Sequence, residues 1–174
     1  SIARILDETK QFENFGQKRY DDTALLLAEF LENGLDSDRG REAIRRMNQI
    51  HARYDIANDD FIYTLTTFIF EPIRWIDRYG WRPLVEKEKL AAFYMWRRVG
   101  QMMGIRELPE TYEAMEKFNI EYERKTFRYT PESERVSRAT LKVLVGFLPP
   151  LPFLGELACQ GVYALLDEPL RRAV

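Results

Sequence analysis

The chain has 174 residues, 45% of them hydrophobic and 31% charged, which suits one folded domain and excludes a disordered chain. Its 26 Lys and Arg against 28 Asp and Glu leave a net charge of -2, so no basic excess exists to neutralise phosphates, and nucleic acid is excluded as a partner. One cysteine, Cys159, permits no internal disulfide and fits a reducing compartment.

Strand-like alternation is rare along the chain and helical spacing recurs. The first ten or so residues, 2–11, read as a short helix, with no charged-then-apolar leader ahead of them. Residues 21–33 read as a second helix, rich in Leu25, Leu26, Leu27 and Leu31 and stopped by Gly34. The preceding Lys18-Arg19-Tyr20-Asp21-Asp22-Thr23 then reads as a helix start, its acids favoured by the positive end of the helix dipole. Asp36, Ser37 and Asp38 are cap candidates for a third helix reaching Tyr54. Ile44, Met47, Ile50 and Tyr54 form its apolar side, and His51 shares that side, opposite Arg45, Arg46, Gln49 and Arg53.

Asn58 or Asp59 caps a fourth helix through Phe61, Leu65, Phe68 and Ile69. Pro72 interrupts it with a kink, the helix resumes over 73–79, and Gly80 closes it. A fifth covers 86–103 and ends at Gly104. Pro109 opens a sixth, to about Phe127, along which Tyr112, Met115, Phe118 and Tyr122 line up. Thr130-Pro131 starts a seventh, a capping hydroxyl followed by a first-turn proline. The apolar run 141–154 carries Lys142 and is broken by Pro149, Pro150 and Pro152. It reads as buried helix and turn, or as a lid over an apolar ligand, and not as a membrane span. An eighth helix covers 153–167. The fold expected is all-α: an irregular, globin-like or orthogonal bundle of about eight helices forming one domain over 1–174.

Elimination narrows the chemistry. His51 is the only histidine, so multi-histidine zinc sites are excluded. Di-iron carboxylate bundles need Glu three residues before each ligand histidine, and here that residue is Asn48. No nucleophile elbow, Walker loop or dinucleotide fingerprint exists, and no serine context supports a triad on His51. A five-coordinate haem survives, because it needs one imidazole and an open distal face. Phe61, Tyr63, Phe68, Phe70, Trp75, Phe93, Tyr94 and Trp96 are available to line it. On pattern alone a hydrogen-bonded core histidine is the commoner outcome, and aromatics are most often ordinary core. Asn58-Asp59-Asp60 reads as a helix start and nothing more. Glu71 reads as structural, whereas Arg74 and Arg82, set among aromatics, can serve either structure or a haem propionate.

Several runs resemble the MpaB-type oxygenase family. They are Lys18-Arg19-Tyr20-Asp21-Asp22-Thr23, Arg46-Met47-Asn48-Gln49-Ile50-His51-Ala52-Arg53-Tyr54, Asn58-Asp59-Asp60-Phe61-Ile62-Tyr63-Thr64-Leu65, Phe70-Glu71-Pro72-Ile73-Arg74-Trp75, Tyr79-Gly80-Trp81-Arg82-Pro83-Leu84 and Val99-Gly100-Gln101-Met102-Met103-Gly104-Ile105. Family members carry extra sequence ahead of the point where this chain starts, so an N-terminal segment is expected to be missing. The family is related to the latex-clearing rubber oxygenases, helical b-type haem proteins that cleave isoprenoid double bonds with dioxygen. The resemblance implies that His51 is the proximal haem ligand and that Arg19 and Thr23 flank the distal pocket, where Asp22 is expected to polarise or orient the oxygen with them. It implies haem b and dioxygen as reaction partners, an apolar isoprenoid-like substrate, and a cytoplasmic or peripherally membrane-associated protein. Asp22 stands where the rubber oxygenases carry lysine, and Asn48 and Asp55 stand where they carry arginines, so the pattern favours the MpaB side. Two other readings remain: a non-enzymatic helical module binding a hydrophobic ligand or partner through the segment 149–153, and an electron-transfer or sensor haem protein, which would want a second axial ligand.

Overall fold

A computed structural model describes residues 2–149 and 154–174, and the described residues are helical with no strand among them. The helices are α1 (Ile2–Thr9), α2 (Gln11–Asn33), α3 (Asp38–His51), α4 (Asn58–Tyr79), α5 (Glu86–Met102), α6 (Tyr112–Thr126), α7 (Pro131–Val145), α8 (Leu154–Leu165) and α9 (Glu168–Ala173). The all-α expectation holds. The chain divides into two compact units, one formed by 1–28 with 124–174 and the other by 29–123.

In the second unit, Ile62, Leu65, Ile69, Phe70 and Ile73 recur at helical spacing on α4, and all are buried. They pack on α5, whose inward face carries Phe93, Trp96, Val99 and Gly100. Gly100 sets how close the two helices come: a Cβ there would lie 2.7 Å from Leu65 Cδ2 and 2.9 Å from Leu108 Cδ1. Trp96 stacks on Phe68 at 4.5 Å and meets Phe30 edge-on at 6.0 Å. Several aromatics considered as a haem lining are thus ordinary core, while Trp75 and Tyr94 are exposed.

The cap at α3 is as expected, with Ser37 Oγ accepting from Gly40 N at 2.9 Å. Gly40 is required by space: a Cβ would lie 2.2 Å from Gly34 O. Three expectations in this unit are corrected. α3 stops at His51 and not at Tyr54, which is exposed. α4 continues past Pro72 to Tyr79 as expected, because a proline in a long, well-packed helix removes one backbone bond without dismantling the rest. Neither Asn58 nor Asp59 caps α4; Ala57 holds the cap position. Asn58 instead clamps Arg106, accepting from its N–H at 3.0 Å and donating to its carbonyl at 2.9 Å. α6 starts at Tyr112, after Pro109, with Thr111 Oγ1 capping Ala114 N at 3.1 Å.

In the first unit α1 packs on α7, and Arg135 makes a forked bond to Asp7 at 3.0 and 2.8 Å. Arg135, then Lys10, holds the Asp7 carboxyl well below the usual carboxylate range. α2 is broken at Phe15 (φ -138°, ψ 36°), where two helical stretches meet, so the run 18–23 lies in the opening turns of the second stretch, which begins earlier than the expected residue 21. Its acids find partners one turn away: Asp21 accepts from Gln17 Nε2 at 2.9 Å, and Asp22 pairs with Lys18. Thr130 and Pro131 open α7 as expected. The eighth helix ends at Leu165, and a ninth follows, capped by Asp167 accepting from Leu170 N at 3.1 Å. Pro150, Pro152 and Phe153, part of the expected lid or contact, lie outside the described residues. No described helix is long and apolar enough to cross a membrane.

Candidate functional site

His51 is the last residue of α3 and is half-buried. The inward placement expected from Ile44 and Met47 holds, since Ile44 is in the core and Met47 half-buried. Its ring meets the Phe61 ring edge-to-face at 5.4 Å, and Nδ1 is shielded from solvent. One turn back, Asn48 Nδ2 donates to Met102 O at 3.1 Å, tying the end of α3 to the end of α5. Two inter-helix contacts therefore hold the imidazole in place, one through its ring and one through its helix. Among the described residues no cluster of three or more His, Cys, Asp or Glu could hold a metal ion, so the donor set is a single imidazole. One imidazole is the kind of donor set that a single haem-iron bond needs, and Nδ1, which faces protein, would not be the ligating atom.

Arg74 of α4 donates to Glu71 Oε1 at 2.7 Å and to Asn119 Oδ1 at 2.8 Å. Its guanidinium also lies over the Phe70 ring at 5.6 Å. Arg82 forks onto Glu88 at 2.8 and 2.7 Å and bonds Pro83 O at 3.0 Å, pinning the 80–85 turn to the start of α5. Both arginines already hold carboxylates, so a propionate would have to displace Glu71 or Glu88. The Arg82 fork, helped by the Val85 N–H, holds Glu88 down to about 2. A depressed carboxylate stabilises the fold fully above its ordinary value of 4.5, and that contribution is lost as pH falls toward 2. Arg82→Gln should therefore return the Glu88 titration upward, stopping short of the ordinary value while Val85 still donates. Carbon-13 NMR of the carboxyl group reads this directly, and an unmoved midpoint would show that Arg82 does not set it.

Arg19, Asp22 and Thr23 lie on α2, in the first unit, and His51, Arg74 and Arg82 in the second. Within its unit the structure brings two of the three together. Arg19 donates to Thr23 Oγ1, which in turn donates to Arg19 O at 3.1 Å, and the guanidinium lies over Phe12 at 5.8 Å. Arg19 and Thr23 are half-buried, whereas Asp22 is exposed beside Lys18. The same unit holds an apolar groove of about 200 Å³ between α7, α8 and α9, lined by Val136, Leu141, Leu144, Val162, Leu166 and Leu170 among others.

A second polar cluster escaped the sequence. Asp60, read only as part of a helix start, is buried and accepts from Tyr122 OH. Tyr63 OH donates to Glu123 Oε1 at 3.1 Å. The fully buried Asn119 donates to Thr66 Oγ1 at 3.0 Å. Burial, then the negative charge of Glu123, pushes the Tyr63 phenol up. One signal was present: Asn119 falls four residues after Met115, on a face that is otherwise apolar.

Comparison with known proteins is informative at this point. The sequence pattern described as "ER-bound oxygenase mpaB/B'/Rubber oxygenase, catalytic domain" matches residues 3–174. ER-bound oxygenase mpaB' of Penicillium brevicompactum is 29% identical over the whole chain, which spans 45% of that protein. ER-bound oxygenase mpaB of Penicillium roqueforti is 28% identical over the whole chain, spanning 64% of it. The mpaB of Penicillium brevicompactum is 34% identical over 60% of the chain and 28% of that protein. The chain thus spans about half to two-thirds of the length of the first two, and no solved structure matches it. With the family pattern running almost end to end over an all-α chain, this protein belongs to the family of the mpaB/B' and rubber oxygenase catalytic domain.

Proposed function

We propose that this chain is the catalytic part of a haem b-dependent oxygenase that cleaves a C=C bond of an apolar, isoprenoid-like substrate. One dioxygen is consumed and two carbonyl groups are formed. The observation that carries the reading is the placement of the only histidine, half-buried at a helix end and braced by Phe61, in a chain of this family. Haem, when bound, supplies the binding and activation of dioxygen. His51 would hold the iron, and the Phe61 ring against it limits rotation of the imidazole. Arg19 keeps guanidinium N–H groups beyond the one given to Thr23, and these serve to orient an oxygen atom or a developing negative charge. Thr23 fixes the guanidinium, and Asp22, its charge offset by Lys18, serves as a proton acceptor. Arg74 and Arg82 would hold the haem propionates, releasing Glu71 and Glu88.

The apolar groove has the lining of a site for an apolar ligand and supports that substrate class. The relatives are named ER-bound, and a peripheral membrane contact agrees with a chain whose described helices do not span. The groove also favours a second reading, a helical module that binds a hydrophobic ligand without chemistry.

The deciding experiment is haem titration of the purified chain, followed by dioxygen uptake with a short polyprenyl substrate. A saturable Soret band at one haem per chain, together with carbonyl products, is expected. A chain that takes up no haem yet binds the polyprenyl compound is the module instead.

A further inference from the structure

Four side chains of the second unit that the oxygenase reading does not use form one arrangement. Tyr63 of α4 and Tyr122 of α6 stack face to face, with ring centroids 4.3 Å apart and planes 10° from parallel. Each phenol donates to a carboxylate of its own, Tyr122 to Asp60 and Tyr63 to Glu123. Asp60 is buried, and both tyrosines and Glu123 are half-buried. Asn119 Nδ2 also reaches Glu123 Oε1 at 3.5 Å.

This is the arrangement that one-electron oxidation of a phenol requires. An oxidised phenol is a strong acid, so its electron leaves easily only where a base stands ready to take the proton. A hydrogen-bonded carboxylate is such a base. A second electron-rich ring lying parallel shares the electron deficiency of the first. Burial keeps the resulting radical from colliding partners. Because Tyr63 stays a neutral phenol well past neutral pH, its proton departs only with an electron.

We propose that Tyr63 and Tyr122 form a redox site that surrenders one electron to a one-electron oxidant such as a peroxyl radical. In the first step Tyr122 gives an electron to the oxidant and its hydroxyl proton to Asp60. This yields a neutral phenoxyl radical, a carboxylic acid and the oxidant reduced by one electron. The radical passes to Tyr63 when that residue gives an electron to Tyr122 and its proton to Glu123, while Asp60 returns its proton to Tyr122. Asp60 precedes Phe61, whose ring lies against His51, so the carboxylate and that ring share one turn of α4. The site does not depend on iron at His51, since any sufficiently strong oxidant would act.

The test uses a photogenerated ruthenium(III) polypyridyl oxidant on the whole chain. Tyrosyl radical is read by flash absorbance and by electron paramagnetic resonance of frozen samples. The unaltered chain should form the radical in high yield, more slowly in deuterium oxide. The double variant Tyr63→Phe, Tyr122→Phe keeps both rings and should lose most of the signal, although every other tyrosine remains. Asp60→Asn keeps all tyrosines yet should slow radical formation severalfold and abolish the deuterium effect. Glu123→Gln is read in the same way, so that misfolding of one variant, seen by circular dichroism, leaves the other to decide. Undiminished radical in the double variant, or unchanged kinetics in the folded carboxylate variants, would mean that the stack is only structural and would overturn the assignment.

Discussion

His51→Ala is expected to abolish stoichiometric haem binding and, with it, oxygenase turnover. The argument rests on there being no substitute: the chain has no second histidine, and no described cluster offers a metal another set of ligands. Changes to groups that merely orient a ligand lower metal affinity by about 10–100-fold, so removing the ligand itself should exceed on the order of 100-fold. The fold should survive. His51 is half-buried at a helix terminus, and Asn48 still ties α3 to α5. Truncation there should cost about 1–2 kcal/mol, less than a core deletion. Unfolding curves and the Soret band, measured on the same sample, separate the two effects. His51→Gly supplied with free imidazole should regain the band, because the small base can occupy the vacated space. If the band survives His51→Ala unchanged in position and intensity, the imidazole is not the ligand and the oxygenase mechanism loses its anchor.

The reason that position was legible, while its surroundings were not, lies in the range of the forces involved. Helical spacing alone puts His51 beside Ile44 and Met47, because side-chain direction along one helix is fixed locally. Ser37 before α3 and Thr130-Pro131 before α7 were legible for the same reason: a cap is satisfied within three residues. Asp167 with Pro169 uses the same grammar for α9, and reading 153–167 as one helix concealed it. The acids of the run 18–23 suggest a start at Asp21, whereas the helical stretch begins just after Phe15. The partners at four-residue spacing, Gln17 with Asp21, Lys18 with Asp22 and Arg19 with Thr23, are equally the mark of a helix interior. The end of α3 at His51 has no glycine or proline to announce it. There the Asn58 clamp on Arg106 fixes where α4 begins, a bond across 48 residues that no local pattern reveals. The Asp60–Tyr122 and Tyr63–Glu123 pairs are equally remote, spanning 62 and 60 residues. Arg74 and Arg82 stand out in the sequence because they lie among aromatics, but only the fold shows that they hold Glu71 and Glu88.

Asn119→Leu should be the most damaging single change among the polar residues of the second unit, at about 2–4 kcal/mol. Leucine matches the amide in size, so no large cavity opens, and the loss comes from polar groups left without partners. Asn119 is fully buried and satisfies three of them: Arg74 at 2.8 Å, Thr66 at 3.0 Å and Glu123 at 3.5 Å. Arg74 is partly exposed and can turn to water, so its share is small. Thr66 is fully buried; its hydroxyl keeps the bond it donates to Tyr63 O at 2.6 Å but loses the one it accepts. Glu123, half-buried, loses a weak donor while Tyr63 still binds it. In denaturant the midpoint should fall with little change in slope, since the surface exposed on unfolding hardly differs. The attribution is checked by adding Thr66→Val, which removes the hydroxyl that Asn119 serves. The double variant should then be more stable than the two single losses predict, by about 0.5–3 kcal/mol for groups in one network. Strict additivity would show that Asn119 acts by shape alone and that the bridge from α6 to α4 contributes nothing through its hydrogen bonds.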